Sequence, residues 1–222
     1  MRDAVHPGVS AVRGSWRPFL FIQAAAVALV VWYYRSPGFR ESAEALAAFK
    51  AAGGEWFAFA AGAIAGGLVP EVAKAVTGSI ARFDSTWALE TAHNAAVFGT
   101  VGVLVDFFYK LQGFLFGMGV DPHTLFVKTL FDMGAFAPLF CVPFEVAVLE
   151  WGHSRYRMAV LFQNFGMTAY RDRVLPAMIP CWAFWIPVLF CVYALPLNLQ
   201  FPFAIMAEAA WSIIVVFVTK PK

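Results

Sequence analysis

Charge is scarce in this chain: Lys, Arg, Asp and Glu make up 14% of its 222 residues, where a soluble domain carries about 25%. That scarcity excludes an ordinary soluble enzyme and a disordered regulator, both of which need charge to stay in water. Sixteen basic against fourteen acidic residues leave a net charge of +2, and no run of one sign is long enough to track a phosphate backbone. Nucleic acid is therefore excluded as a partner. Cysteine is sparse too: Cys141, Cys181 and Cys191 are odd in number, follow no metal-binding spacing and lie in apolar runs, which reads as buried, inert thiols. The four histidines, His6, His93, His123 and His153, are scattered, and three of them lie in connections. No metal or pigment site is expected, and no cofactor is assigned. The Walker loop, a GxGxxG after a strand, HExxH and GxSxG are all missing, and nothing pairs a nucleophile with a base, so the chain is not read as an enzyme.

What is present is apolar: 61% hydrophobic residues and a mean hydropathy of +0.69. This predicts an all-α integral membrane protein whose residues 1–222 form one transmembrane domain. The expected architecture is a bundle of four to six hydrophobic helices plus a short interfacial amphipathic helix. Residues 18–34 are uncharged between Arg17 and Arg35. Trp32, Tyr33 and Tyr34 stand where a small-residue cleavage site belongs, so the run reads as a retained first helix rather than a cleaved leader. Residues 41–52 read as the amphipathic helix, with Ser42 as N-cap and Gly53-Gly54 as the stop. A second run starts at Trp56 and is uncharged to Pro70. Within it Ala58, Gly62 and Gly66 recur every fourth position, a spacing that lets another backbone approach closely and predicts helix packing inside the bundle, with a dimer seam as the alternative.

A third run covers 91–109 and a fourth about 124–149, joined by a Gly-rich connector read as a loop. The uncharged stretch from Val174 to Ala207 is too long for one helix, and Pro196 and Pro202, flanking Asn198 and Gln200, mark the expected break between helices near 179–195 and 203–219. On this six-run reading, eleven Lys and Arg fall on the side of the two termini and five on the other. The bias places both termini on the cytoplasm-like or matrix-like side.

From Gly102 onward the chain resembles the peroxisomal membrane protein 22 kDa family, which includes the Mpv-seventeen type proteins of the mitochondrial inner membrane. The family's G-P-x-x-H-x-W-Y falls on Gly102 to Tyr109, with Asp106 at the His position. Its K-x-x-x-D-Q-x-x-x-x-P falls on Lys128, Asp132, Met133 and Pro138, with Met133 in place of Gln. Trp185-Ile186-Pro187-Val188 and Val192-Tyr193 stand for its W-P and N-F, with one residue fewer before the proline, Leu195-Pro196 and Gln200 for its V-P-x-x-x-R, and Trp211 for its late Trp. The resemblance covers about residues 85–220 and marks a remote member. It implies a helical membrane fold, a channel or channel-modulating activity toward small solutes or ions, and an organelle membrane, foremost the mitochondrial inner membrane.

Ionisable groups inside membrane runs are functional candidates because burying them is costly. The set is Asp106, Lys128, Asp132, Glu145 and Glu208, with His93 beside them. Asp106 with Lys110, and Lys128 with Asp132, are four residues apart and so share a helix face on which each pair can neutralise itself. One expectation is a polar path lined by Asp132, Lys128 and Asp106, with the 196–202 turn near one mouth. The competing expectation is that the lysines snorkel to the interface and the pairs are glue between helices. Trp182, Trp185, Trp211 and Tyr193 read as packing or interfacial anchors before a ligand box. Pro187, Pro196 and Pro202 are candidate hinges, and Gln200 a cap or a solute contact. The chain is thus expected to form or modulate a channel. The alternative is a non-catalytic subunit of a large membrane complex, suggested by the loss of the family's Gln, His and Arg and by 24 phenylalanines. The lipid bilayer is the expected partner, joined by a second copy of the chain or by subunits of a larger assembly.

Overall fold

The computed structural model describes residues 2–80 and 83–218, and among them it contains helices and no strand. We number the helices α1 (Arg2–Arg35), α2 (Pro37–Val76), α3 (Ser85–Phe116), α4 (Pro122–His153), α5 (Met158–Asn164), α6 (Met167–Tyr193) and α7 (Leu197–Val218). All but α5 contain a stretch long and apolar enough to cross a membrane. The protein is an all-α membrane bundle. α1 lies along α6, α2 lies along α3, and α7 packs on both pairs. Large apolar side chains such as Trp56 (83% exposed) and Phe114 (85%) point outward, which suits lipid rather than water.

Local chemistry sets the starts of three helices. Ser36 accepts the Phe39 N–H at 3.3 Å ahead of Pro37, Asp84 accepts Thr86 and Trp87, and Asp121 accepts Thr124 ahead of Pro122. Each cap satisfies a donor the first turn cannot.

Four boundaries differ from expectation. α1 continues through Arg17 and Pro18 toward the N-terminus, with its apolar stretch over Val12–Arg35. The 41–52 segment is helical from Pro37 and is capped by Ser36, not by Ser42. The helix is interrupted where expected, at Gly53-Gly54: Gly54 takes φ +53° and ψ −138°, so α2 consists of two helical pieces joined at this kink. The apolar stripe of the first piece is occupied: Ala47 is buried with Tyr33, Leu195 and Leu199. The connector before α4 shrinks to residues 117–121, since α3 runs on to Phe116 and stops at Gly117, φ +84°. Finally, α7 begins at Leu197, so Pro202 lies inside it and not at the break.

Prolines shape the interior of the bundle. α2 and α4 widen to i→i−5 bonding over Ala63–Leu68 and Asp132–Cys141. In that pattern Pro70 and Pro138, lacking N–H groups, leave the carbonyls of Ala65 and Met133 without a helical donor. Ser212 Oγ on α7 donates to Ala65 O at 2.9 Å, and Trp182 Nε1 on α6 donates to Met133 O at 2.9 Å. In α6 itself, Pro187 frees Ala183 O, and Gln23 Nε2 of α1 donates to it at 2.9 Å. Each proline therefore creates an acceptor that a neighbouring helix uses, which locks helix pairs in register.

Candidate functional site

Five helices, α2, α3, α4, α6 and α7, enclose a cavity of about 490 Å³. Its walls are mostly apolar and aromatic, with Phe98, Phe136, Trp185 and Trp211 among them, and the size and lining are those of a small-molecule pocket. It extends from Tyr109 and Asp132 to Glu71, Lys74 and His153, near the ends of α2 and α4. At that end Glu71 accepts from Lys74 at 2.6 Å and from Trp87 Nε1 at 2.9 Å, so its charge is matched.

Three carboxylates line the cavity with no such match. Asp132 stands at the start of the wide segment of α4, Glu145 thirteen residues further along the same helix, and Glu208 on α7 one turn before the Ser212 latch. None of them forms an ion pair among the described residues. Glu145 Oε1 accepts only from the Cys141 thiol at 3.3 Å. Glu208 has no hydrogen-bond partner among the described residues, and the same holds for the hydroxyl of Tyr109, which is 3% exposed.

Beyond Asp132 the space is filled. Tyr193, the last residue of α6, donates to Asp132 Oδ2 at 2.5 Å and accepts from Gln112 Nε2 at 2.8 Å, so its hydroxyl is used in both directions. The Tyr109 ring meets Tyr193 edge to face at 5.5 Å. Lys128, 0% exposed, places its Nζ 5.8 Å from the Tyr193 ring centroid, within cation–π range, and has no other partner among the described residues. Of this group only Asp132 and Tyr109 reach the cavity wall.

The expected path through Asp132, Lys128 and Asp106 is not assembled. Lys128 and Asp132 do not neutralise each other: α4 changes its turn at Asp132, and Tyr193 takes the carboxylate instead. Lys128 does not snorkel either, being fully buried. Asp106 is off the cavity, held by Lys50 at 2.5 Å and by Lys110 at 2.8 Å, with Glu55 at 3.6 Å from Lys110. The Asp106–Lys110 pair expected from spacing is present, but its strongest partner is Lys50, from the segment read as interfacial.

Gly62 and Gly102 face each other where α2 crosses α3, and Gly66 lies under the Phe98 ring; all three also border the cavity. Pro138 is buried inside the wide segment of α4. Pro187 is tied by Gln23, and Pro196 sits in the short break before α7. Gln200 is buried and donates to Leu195 O at 3.0 Å, closing the end of α6 instead of meeting a solute. His93 Nε2 donates to Val148 O at 3.0 Å, and the ring packs edge-on to Trp151 and Tyr156.

Gln112 is not among the residues expected from sequence, because it lies in the Gly-rich stretch that reads as a connector, whereas α3 continues through it to Phe116. Its signal was its place three residues after Tyr109, on the same face once the helix is known to continue. No protein-family model, curated protein or solved structure matches this chain.

Proposed function

We propose that this chain forms or modulates a channel for small solutes or ions in an organelle membrane, the mitochondrial inner membrane foremost. The observation that carries the reading is the cavity inside the bundle, with Asp132, Glu145 and Glu208 on its wall and the buried chain from Gln112 through Tyr193 to Asp132 next to it. A purely structural bundle has no need to hold three unmatched carboxylates around an open space, since each costs free energy in an apolar surround. On this reading the structure is a closed form, and conduction requires the Tyr193–Asp132 contact to part. The resemblance to the peroxisomal membrane protein 22 kDa family supports it at particular positions: Tyr109, Asp132, Trp185 and Trp211 border the cavity, and Gly102 stands in the seam beside it.

The test is a planar bilayer recording of the purified chain. Asp132→Asn is expected to change conductance or ion selectivity while the bundle stays folded. Identical single-channel records for the two proteins would refute that role.

A second reading, an accessory subunit of a larger membrane complex, is favoured by α5 and its flanks. Outside the six spans Phe162 and Phe165 are exposed, and so is Met167 at the start of α6. Migration in a native gel at fixed ratio with a large complex supports this reading, and migration alone counts against it.

A further inference from the structure

The cavity's chemistry narrows what it takes. Its three acidic side chains come from two helices and have no cationic partner among the described residues, so a bound cation would meet carboxyl groups that nothing else pairs. Two independent features point to an occupant. The space is of ligand size, about 490 Å³ against the roughly 30 Å³ share of one water molecule. Tyr109 lines it with a hydroxyl that nothing among the described residues engages, although the side chain is 97% buried. A hydroxyl that faces the cavity without a protein partner is free to hydrogen-bond a bound polar group.

The occupant's class follows from the wall. A divalent metal needs several ligands gathered at one point, about six to eight oxygens for calcium and about four Cys, His or carboxylate groups for zinc. Among the described residues no three acidic, His or Cys side chains converge in that way. The carboxylates are instead spread along a wall of Trp185, Trp211, Phe98 and Phe136, faces that attract a cation carrying an apolar body. An anion finds three acidic groups there and a single lysine, Lys74, already paired with Glu71.

Resting on the reading of this cavity as a solute site, we propose that it binds a monovalent organic ammonium with an aromatic or aliphatic body. The ammonium sits between Glu208 and Glu145, and the apolar body lies against Trp185 and Trp211. Glu208 is the principal counter-charge, because it alone of the three has no hydrogen bond to a neighbour.

The experiment is calorimetric binding to the full chain in phosphatidylcholine nanodiscs, with empty discs subtracted. The probes are 3-phenylpropylammonium, the neutral 3-phenylpropan-1-ol and the anionic 3-phenylpropanoate. The ammonium is expected to bind at least tenfold tighter than the alcohol, and the anion not at all. Glu208→Gln is expected to weaken the ammonium at least tenfold and leave the alcohol unchanged, and Glu145→Gln to weaken it in the same direction. Equal affinity for ammonium and alcohol overturns the inference, as does an unaffected Glu208→Gln protein. Potassium conductance in bilayers without ammonium binding also overturns it and leaves the channel reading standing. Ammonium binding without conductance upholds it while the channel reading fails.

Discussion

Replacing Gly62 by Ala drives a methyl group into the backbone of the neighbouring helix. A Cβ built at Gly62 lies 2.4 Å from Phe98 O and 3.1 Å from Gly102 Cα; one built at Gly102 lies 2.6 Å from Ala58 O and 3.2 Å from Gly62 Cα. Ordinary contact begins near 3.4 Å, so α2 and α3 must part by about 1 Å for Gly62→Ala and about 0.8 Å for Gly102→Ala. Neither obstacle is a side chain that can rotate away. A radial gap of roughly 0.5–1 Å forfeits about a quarter to a half of each van der Waals contact along the seam, and overpacking of this kind costs about 1–3 kcal/mol. Removing a helical glycine returns only about 0.5–1 kcal/mol, so the substitution is expected to destabilise. Gly14→Ala is the control: nothing lies within 4 Å of its added Cβ, and it is expected to be neutral or stabilising. Gly66→Ala is expected to destabilise as well, because its added methyl meets the root of the Phe98 side chain, including Cβ at 2.9 Å, which ring rotation does not move. The assay is unfolding in mixed micelles by titration with dodecyl sulfate, followed by circular dichroism. The double Gly62→Ala, Gly102→Ala protein should lose less than the sum of the singles, since the first methyl already separates the helices. Equal stability of Gly62→Ala and Gly14→Ala would refute the backbone seam.

The proline-freed carbonyls give a second test. Ser212→Ala and Trp182→Phe each leave a carbonyl without its side-chain donor and should cost about 0.6–3 kcal/mol in the same titration, with Pro70→Ala restoring stability in the Ser212→Ala background but not in Trp182→Phe. Lys50→Met should destabilise by about 3–5 kcal/mol at most, softened by Lys110, because Asp106 loses its closest cation in a buried setting. Adding Asp106→Leu to Lys50→Met should recover much of that loss, and a double mutant no more stable than the single would sink the ion-pair account.

The spans were legible because an apolar run of membrane length has one common use. Hydropathy alone placed the six runs that the structure builds. What failed depended on tertiary partners. The 41–52 segment has the composition of an interfacial helix, and nothing local announces that Lys50 meets Asp106, 56 residues away in sequence. Spacing put Lys128 and Asp132 on one face, but Tyr193 reached the carboxylate first from 61 residues away. Pro202 looked like a breaker; in the structure it is buried within α7, where a helix this enclosed tolerates it. Glu145 and Glu208 were recognised as costly residues, yet their convergence on one cavity is a property of how α4 and α7 pack.

The two buried charge groups of this bundle obey different rules. Around Asp106 two lysines match the carboxylate, and Glu55 balances the second of them, so the cluster is complete without any outside molecule. Around the cavity the account stays open: three acids, one thiol donor, one tyrosine donor and an unused hydroxyl. Substituting one partner in the first cluster is thus expected to lower stability. Replacing Glu208 in the second should leave stability unchanged or raise it, because a neutral amide is cheaper to bury than an unmatched carboxylate. If Glu208→Gln unfolds more readily than the parent protein, the carboxylate has a structural partner and the cavity loses its claim to an outside cation. If the variant is as stable or more so and also loses ammonium affinity, stability has been given up at this position for binding, which is the pattern expected of a site and not of helix glue.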